Sequence, residues 1–318
     1  GAASNCRYSV FVVARFSRIA FLGQRAGERD SGESHHTGER DSGESRHAGA
    51  PAGKVSYHLA MPLITSPANA HIKAARALAR RKERDATGRC VAEGIFHVGE
   101  ALDAADAGRA RVEYVLTAPD LLVSDFGRGL VARATAAGVP VYETTAGVLA
   151  GVAGKDNPQG LLAVVRPRRA RLEELNASTA PWLVAAVAPQ DPGNVGAILR
   201  TIDAVGASGL LLLDGGVDAL HPVAVRASMG AVFHRQVAGA AFADFLGWAR
   251  AGGYQLIGTS ARGLADYRRV ERYALPLVLL LGSEREGLTA AQTAACDALL
   301  RLPMRGRATS LNLAVAAG

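Results

Sequence analysis

The sequence has few cysteines, few aromatic residues and no long hydrophobic run. Its three cysteines, Cys6, Cys90 and Cys296, lie far apart and form no CxxC pair, which argues against a cysteine zinc site and favours a reduced, cytoplasmic location. Aromatic residues make up 5% of the chain, too few for rows of rings that stack on single-stranded nucleic acid. No apolar run approaches the ~18 residues that cross a bilayer, so we predict no membrane-spanning segment.

Apolar and basic residues, by contrast, are abundant. Of the 318 residues, 49% are hydrophobic, which is typical of folded protein, and the length suggests two globular domains. Lys and Arg number 36 against 29 Asp and Glu, which leaves a net charge of +7. A positive surplus attracts phosphates over long distances, so we expect a nucleic-acid partner that is contacted mainly by Arg and Lys.

The first 60 residues differ in composition from the rest. The sequence GERDSGES occurs at residues 27–34 and again at 38–45, and its charged, small and turn-forming residues cannot bury a core. Arg15 and Arg18 interrupt the preceding apolar stretch, which argues against a secretory signal. We interpret residues 1–60 as a disordered low-complexity extension. A targeting segment and a translated upstream region are the alternatives, and folded structure is expected from Met61.

Residues 61–167 have the pattern of a small α/β domain. Strands are predicted at residues 112–116, 139–143 and 161–165, and helices at residues 121–137 and 145–153. A further helix is expected from Ser66, with one apolar and one basic face. A basic linker at residues 168–180 follows.

The basic face of the first helix is a candidate RNA-binding surface. Its side chains are Lys73, Arg76, Arg80, Arg81, Lys82 and Arg84. Such a cluster is either a solvated helix face or a phosphate-binding face, and the net charge of the chain favours the second interpretation.

Residues 181–318 predict a doubly wound α/β domain with a parallel sheet. The predicted strands lie at residues 182–187, 210–213, 255–259, 277–281 and 298–302, and the helices at residues 195–205, 222–232, 242–251 and 289–296. The strands are continuously apolar rather than alternating, as expected when helices cover both faces of a sheet. Ligands of such sheets bind at the carboxyl ends of the strands.

Two common nucleotide-binding motifs are missing. Gly154 and Lys155 are followed by Asp156 and lack the leading glycine of a P-loop, and the turn after the first strand of the second domain reads PQDPGNVG rather than GxGxxG. Three segments with unusual turns stand out: this same turn at residues 189–196, the turn at 282–287, and the segment at 301–318. Taken singly, their polar residues have ordinary interpretations, with Asn194, Ser310 and Asn312 as helix caps and Arg200 as an exposed helix residue.

Together the three turns resemble a known family. NxGxxxR at residues 194–200, LGSEREGL at 281–288 and LPMRGRATSLNLAVA at 302–316 resemble, in order and spacing, the three motifs of the SpoU/TrmH-type RNA 2'-O-ribose methyltransferases of the SPOUT superfamily. RASMGAVF at residues 226–233 and NPQG at 157–160 are similar to further family segments. The resemblance implies a trefoil-knotted, Rossmann-like C-terminal domain preceded by a smaller N-terminal α/β RNA-binding domain.

The resemblance also implies a reaction and its residues. A methyl group would pass from S-adenosylmethionine to a ribose 2'-hydroxyl, without a metal. Residues that match the cofactor positions are Gly282, Leu302 and Leu311, with Thr259 and Met304 as further candidates. Residues that match the polar positions around the reacting groups are Asn194, Arg200, Glu284, Ser310 and Asn312. Arg200 is either a base or an electrostatic stabiliser, and its high pKa makes us prefer the second role.

The family resemblance leaves alternatives for the substrate and the assembly. We expect a homodimer whose second subunit completes the site, and ribosomal RNA, most specifically 23S rRNA, as the substrate. Transfer RNA is the alternative substrate, and a non-catalytic RNA-binding protein that retains the fold is the alternative function. The family's last helix normally continues further, whereas this chain stops at Gly318, about two turns into it, so we expect the native chain to be longer.

Overall fold

The fold is an N-terminal mixed sheet followed by a parallel sheet. A computed structural model describes residues 63–154, 157–263 and 265–318. The predicted extension at residues 1–60 lies outside the described residues. Within the described ranges, no helix is both long and apolar enough to cross a membrane.

The N-terminal half contains a four-stranded sheet in the order β1-β4-β2-β3. Its elements in chain order are α1 (Ala70–Ala77), α2 (Arg81–Thr87), β1 (Cys90–Glu93), α3 (Ile95–Asp106), β2 (Ala110–Thr117), α4 (Asp125–Ala136), β3 (Val141–Glu143), α5 (Ala146–Ala150) and β4 (Leu161–Pro167). Strand β4 pairs antiparallel with β1 and β2, and β2 pairs parallel with β3. This confirms the predicted small α/β arrangement, with β1 and α3 as additional elements.

The C-terminal half contains a seven-stranded sheet in the order β7-β6-β5-β10-β8-β11-β9, and its strand pairs are parallel. Its elements are β5 (Trp182–Val187), α6 (Pro192–Val205), β6 (Gly209–Leu213), α7 (Pro222–Ala227), α8 (Ala231–His234), β7 (Gln236–Ala240), α9 (Phe242–Ala251), β8 (Gln255–Thr259), β9 (Ala265–Asp266), β10 (Leu277–Leu281), α10 (Ala290–Ala294), β11 (Ala298–Arg301) and α11 (Leu313–Ala317). One side of the sheet packs with α6, α7 and α8, and the other packs with α9. The predicted doubly wound domain is confirmed.

The order of the strands brings distant loops together. Strand β10 lies between β5 and β8, although β6 to β9 separate it from β5 in the chain. Because the strands are parallel, the loops that follow β5, β6, β8, β10 and β11 leave the same edge of the sheet. Two of the three motif turns therefore follow neighbouring central strands, β5 and β10, and the third follows β11 two places along.

Two predicted helices are each divided in the structure. The helix expected from Ser66 is interrupted at Arg80, whose backbone is extended, so α1 and α2 are separate. The helix predicted at residues 222–232 is divided because Met229 and Gly230 adopt positive φ values of 50° and 87°. A left-handed residue ends a right-handed helix, and α8 begins after it.

The two halves share a hydrophobic core. One buried cluster contains Val98 and Leu130 of the N-terminal half together with Ile198 and Phe233 of the C-terminal half. The segment at residues 168–180, predicted as a basic linker, buries Leu172 against the C-terminal sheet. The domain limits stay a prediction, since packing is continuous across them.

Candidate active site

The candidate site is built around the Glu284 carboxylate in the loop after β10. Its Oε1 accepts a hydrogen bond from Asn194 Nδ2 at 2.7 Å, and its Oε2 accepts one from the backbone N–H of Gln190 at 2.7 Å. The backbone N–H of Asp191 also donates to Oε1, at 3.4 Å. These donors lie at the start of α6, where the helix dipole also favours a negative charge. Glu284 thus joins the loop after β5 to the loop after β10.

Asn194 extends this network to the third motif. Its Oδ1 accepts a hydrogen bond from Asn312 Nδ2 at 2.8 Å, while Asn312 Oδ1 caps α11 by accepting the backbone N–H of Ala314 at 2.9 Å. Because a carboxylate only accepts, Nδ2 of Asn194 must face Glu284 and its Oδ1 must face Asn312. The side-chain orientations in this chain are therefore fixed by one another. Asn194 is also buried, with 7% of its surface exposed.

The predicted cap role is confirmed for Asn312 and wrong for Asn194. The residue that caps α6 is Asp191, whose Oδ1 accepts the backbone N–H of Gly193 at 2.7 Å, and Pro192 occupies the first helical position. Asn194 lies in the first turn of α6 and uses its side chain for the contacts with Glu284 and Asn312. The buried side-chain amide of Asn194 is thus available for a role other than capping α6.

The turn that presents Glu284 is closed by backbone contacts. Ser283 and Gly287 donate their backbone N–H groups to each other's carbonyl oxygens at 3.1 and 3.0 Å, and Gly287 has a φ of 70°. A Cβ at Gly282 would lie 2.2 Å from the carbonyl carbon of Gly287 and 2.4 Å from the nitrogen of Leu288. Both contacts are to backbone, which cannot rotate away, so position 282 requires glycine.

We therefore expect Gly282→Ala to displace the Glu284 turn and to lower both thermal stability and cofactor affinity. Overpacking of this kind costs about 1–3 kcal/mol. Gly247→Ala is the control, because a Cβ at this helical position meets nothing within 4 Å. Thermal melting and calorimetry with S-adenosylmethionine measure the two effects. Equal behaviour of the two variants would contradict the close packing at Gly282.

The other predicted cofactor residues surround the ends of β8 and β11. Thr259 donates its hydroxyl to the carbonyl oxygen of Leu280 at 3.3 Å, so it links β8 to β10. Leu302 is half-buried, whereas Met304 and Leu311 are exposed by 37% and 41%. Residues 303–311 make no backbone hydrogen bond with other described residues. This loop therefore offers amide and carbonyl groups beside apolar side chains.

Two predicted catalytic residues stand apart from the network. Arg200 lies six residues after Asn194 on α6, which places it ~9 Å along the helix and ~120° around it. Arg200 and Ser310 are both exposed, and within the described part of the chain neither side chain is hydrogen-bonded to Glu284, Asn194 or Asn312. Sequence order alone had grouped these five residues, and the structure brings three of them together.

The described cysteines are not placed for nucleophilic chemistry. Burial raises the pKa of Cys90 to about 12 and the pKa of Cys296 to about 11, so both are neutral thiols near pH 7. Among residues 63–154, 157–263 and 265–318, no group of three or more His, Cys, Asp or Glu side chains is arranged to hold a metal ion. The polar chain of Glu284, Asn194 and Asn312 remains the leading candidate site.

Comparison with known proteins identifies the family. The family model described as the SpoU rRNA Methylase family matches residues 181–318, and that of the MRM3-like substrate binding domain matches residues 69–163. The 23S rRNA (guanosine(2553)-2'-O)-methyltransferase RlmP of Bacillus subtilis is 30% identical over 257 residues, which cover 81% of this chain and 96% of that protein. The chain belongs to the SpoU rRNA methylase family. The resemblance carried by the three motifs is confirmed.

Solved structures of methyltransferases share the fold of both halves. The AdoMet-bound rRNA methyltransferase from Sinorhizobium meliloti has a TM-score of 0.71 at 36% identity, with 80% of this chain and 94% of that chain covered. The SpoU methyltransferase AviRb from Streptomyces viridochromogenes, in complex with AdoMet, has a TM-score of 0.68 at 27% identity, with 78% and 94% covered. The predicted SPOUT fold with an additional N-terminal domain is confirmed, and the trefoil knot stays a prediction.

In this SpoU methylase, one predicted RNA-binding residue is not available to RNA. Arg84 is buried, and its Nε and Nη2 donate to the two carboxylate oxygens of Asp218 at 3.1 and 2.7 Å. Its Nη1 donates to the carbonyl oxygens of Leu78 and Ala79 at 3.0 and 2.7 Å. Including Arg84 in the phosphate-binding face was therefore wrong, because its donors are used inside the protein.

The remaining members of the basic face, Lys73, Arg76, Arg80, Arg81 and Lys82, are exposed. Arg81 also contacts the C-terminal domain, since its Nη1 donates to the carbonyl oxygen of Gly216 at 2.6 Å. Sequence reasoning missed both this contact and the ion pair of Arg84 with Asp218. Their partners are 134 and 135 residues away, and no local pattern connects them.

Proposed function

We propose that this SpoU methylase transfers a methyl group from S-adenosylmethionine (AdoMet) to a ribose 2'-hydroxyl of 23S rRNA. The observation that carries the proposal is the hydrogen-bonded chain from Glu284 through Asn194 to Asn312, which joins all three motifs at the carboxyl edge of the sheet. RlmP is by its name a 23S rRNA 2'-O-methyltransferase, which supports the substrate class. Two structural neighbours have been solved with AdoMet, which supports the cofactor.

The loop after β11 suits a nucleoside cofactor. Residues 303–311 have unpaired backbone groups, and Met304 and Leu311 expose apolar side chains next to them. Cofactor sites commonly combine an apolar lining with a few polar groups that fix orientation. We assign Gly282, Leu302 and Leu311 to holding AdoMet, with Thr259 and Met304 beside them. When bound, AdoMet supplies a methyl group on a positively charged sulfur, which is already a good leaving group.

The protein must chiefly position the ribose hydroxyl against the methyl group. Alignment of two reactants can contribute about 7–11 kcal/mol to lowering a barrier. Glu284 and Asn312 hold the Asn194 amide in one orientation, and Nδ2 of Asn194 retains a second N–H beyond the one donated to Glu284. We assign Asn194 to orienting the ribose and Ser310, which is exposed in the same loop as Leu311, to contacting it.

Arg200 is assigned to stabilising negative charge on the ribose oxygen. A guanidinium has a pKa above ~12 and does not act as a base near neutral pH, whereas it is a strong donor to an alkoxide. Because Arg200 is exposed and apart from the Glu284 network, we propose that it acts in the site of a second subunit. Helix α11 packs against α6, and Val315 on α11 is exposed by 61%, which suits burial in a homodimer. We place this assembly in the cytoplasm, where ribosomal RNA is found.

The exposed basic residues of α1 and α2 are assigned to binding RNA phosphates. Replacing Arg80, Arg81 and Lys82 together with Ala should weaken RNA binding and leave AdoMet affinity unchanged. Each lost phosphate contact should make the slope of log K against log salt shallower by up to ~0.7 on single-stranded RNA and ~0.9 on a duplex. Binding titrations at several salt concentrations measure this slope. An unchanged slope would place RNA elsewhere, with Arg168, Arg169 and Arg171 as the next set to replace.

The function is tested with the full chain, radiolabelled AdoMet and purified RNA. We expect label in 23S rRNA, and mapping of 2'-O-methyl sites in RNA from a strain that lacks the gene should show one position lost. Label in transfer RNA instead would overturn the substrate. Calorimetry distinguishes a methyltransferase from a non-catalytic RNA-binding protein, because the latter would show no heat of AdoMet binding.

A further inference from the structure

A cavity of about 500 Å³ lies between the two domains, next to the candidate active site. Its walls include Arg81 and Arg84 from α2 and Gly216, Asp218 and His221 from the loop after β6. The predicted AdoMet residues are not among the residues that line it. Its volume falls in the range of about 300–1,000 Å³ that is usual for pockets that hold small ligands. The cavity is therefore a second space, separate from the cofactor loop.

The cavity is directly connected to the catalytic network. Gln190 lines it, and the backbone N–H of Gln190 is a donor to Glu284. The loops after β5 and β6 are joined by a hydrogen bond from the backbone N–H of Val217 to the carbonyl oxygen of Pro189 at 2.7 Å. Gly216, with a φ of 88°, packs so closely on Pro189 that a Cβ would lie 2.4 Å from its carbonyl oxygen. A ligand in the cavity would thus lie beside Glu284, in the network to which we assign the ribose.

The cavity wall offers guanidinium donors to an anion. The carboxylate of Asp218 is the only acidic group among the lining residues, and it is paired with buried Arg84. Arg81 adds a second guanidinium, whose side chain is 56% exposed. Arg81 Nε is paired with Asp85 at 3.3 Å and Nη1 donates to Gly216, which leaves Nη2 of Arg81 without a hydrogen bond to the described residues. A guanidinium is well suited to phosphate because its planar donors match two phosphate oxygens.

His221 contributes a neutral hydrogen-bond donor. Burial and the nearby Arg84 guanidinium hold the pKa of His221 below its usual value, so the ring is mainly neutral near pH 7. Its Nδ1 lies 3.2 Å from the backbone N–H of Val223 and accepts from it, which leaves the proton of the neutral ring on Nε2. No acceptor for Nε2 lies among the described residues. Phosphate and ribose oxygens are such acceptors.

We infer that this cavity holds a sugar-phosphate unit of the substrate RNA next to the methylated ribose, with the phosphate bound by Arg81 and an oxygen of the unit bound by His221. This inference rests on the proposed function for the identity of the RNA. The cavity is lined by no Phe, Tyr or Trp, so it recognises the backbone rather than a stacked base. It places one nucleotide in contact with both domains, and so couples RNA binding on α2 to the position of the ribose.

The test is a double-mutant cycle between protein and RNA. A 23S rRNA fragment is prepared in versions that each carry one uncharged methylphosphonate, and their binding to the full chain is measured. In the unmodified protein, one neutralised phosphate should weaken binding about 10-fold, as expected for a charge-assisted contact. Arg81→Gln should bind this methylphosphonate RNA and the unmodified RNA with equal affinity, because the side chain that contacts the phosphate is already missing. Arg111→Gln, which removes an exposed arginine of β2 that is not assigned to RNA, should retain the full 10-fold sensitivity.

A second variant, His221→Asn, tests the cavity independently in case Arg81→Gln does not fold. His221→Asn keeps a side-chain acceptor for the Val223 N–H, since Asn is a good helix cap, but removes the Nε2 donor. It should melt like the unmodified protein and lower RNA affinity. The inference would be overturned if Arg81→Gln kept the 10-fold sensitivity to the neutralised phosphate, or if Arg111→Gln lost that sensitivity as fully as Arg81→Gln does. Methylation is assayed in the same samples, so that the proposed function and the cavity are tested separately. Absence of methyl transfer by the unmodified protein would overturn the proposed function, whereas the phosphate scan measures RNA binding alone.

Discussion

Arg200→Ala is expected to lower the rate of methyl transfer about 100- to 1,000-fold, as the loss of an oxyanion donor does in other enzymes. The ribose hydroxyl is neutral in the ground state, and its oxygen gains negative charge only as its proton leaves for solvent, ahead of the attack on the methyl group. Arg200 stabilises the deprotonated oxygen, so it acts mainly on the transition state. AdoMet affinity should stay nearly unchanged, since Arg200 is not among the residues assigned to the cofactor. Single-turnover assays with saturating RNA measure the rate, and calorimetry measures the affinity.

Two controls define what the loss at Arg200 means. Arg111→Ala removes another exposed arginine, on β2, and should leave the single-turnover rate unchanged. Arg200→Lys keeps the charge but not the planar donors, so it should recover part of the rate at most. A parallel loss of AdoMet binding in Arg200→Ala would contradict its assignment as a transition-state stabiliser.

Mixed dimers test whether Arg200 acts across the subunit boundary. Subunits with Arg200→Ala and subunits with Glu284→Ala should each be inactive alone. If Arg200 serves the partner's site, a mixed dimer has one intact site and about a quarter of normal activity should return after random exchange of subunits, which form homodimers and heterodimers at 1:2:1. If both residues serve the same subunit, no activity returns. That result would overturn the shared site without affecting the proposed reaction.

Asp218→Ala should lower the free energy of unfolding by about 3–5 kcal/mol, because it leaves the buried guanidinium of Arg84 without its counter-charge. Both side chains are almost fully buried, with 2% and 6% exposed. Asp203→Ala is the control, since it breaks the exposed ion pair with Arg235 and should cost less than about 1 kcal/mol. Urea denaturation of the full chain measures both. Equal losses in the two variants would contradict the importance of burial.

The same ion pair gives stability a defined pH dependence. Burial alone would raise the pKa of the Asp218 carboxyl, but hydrogen bonds from Arg84 and its charge outweigh burial and hold that pKa below its usual value. The stabilisation is therefore complete above the unfolded pKa of about 4 and is lost as the pH falls through the lower folded pKa. Asp218→Ala should show a flatter fall in melting temperature below about pH 4 than the unmodified protein.

The amino-acid sequence was sufficient for the parallel sheet and the family. Strands β5, β8 and β10 have the predicted bounds, because each is a short apolar run between turn-forming residues, such as Pro276 before β10 and Gly282 after it. Strands β1, β7 and β9 were missed. Strand β9 has two residues, too few to form a pattern, and β1 and β7 each contain only one β-branched residue, so neither has the composition typical of a strand. The predicted basic helix was too long because the chain breaks at Arg80. Next to this break, buried Arg84 donates to the carbonyl oxygens of Leu78 and Ala79 and to distant Asp218, and no local pattern predicts the contact with Asp218.

The sequence by itself determined which residues carry polar chemistry, since the motif order and spacing place Asn194, Glu284 and Asn312 in three turns. Only the tertiary structure decided which of them touch. Glu284 lies 90 residues from Asn194, and Asn312 lies 118 residues from it, so neither contact follows from helix or strand periodicity. They meet because β10 inserts beside β5 and parallel strands end at one edge. The same long-range packing removed Arg84 from the RNA-binding face, because a buried carboxylate 134 residues away outcompetes solvent for its donors.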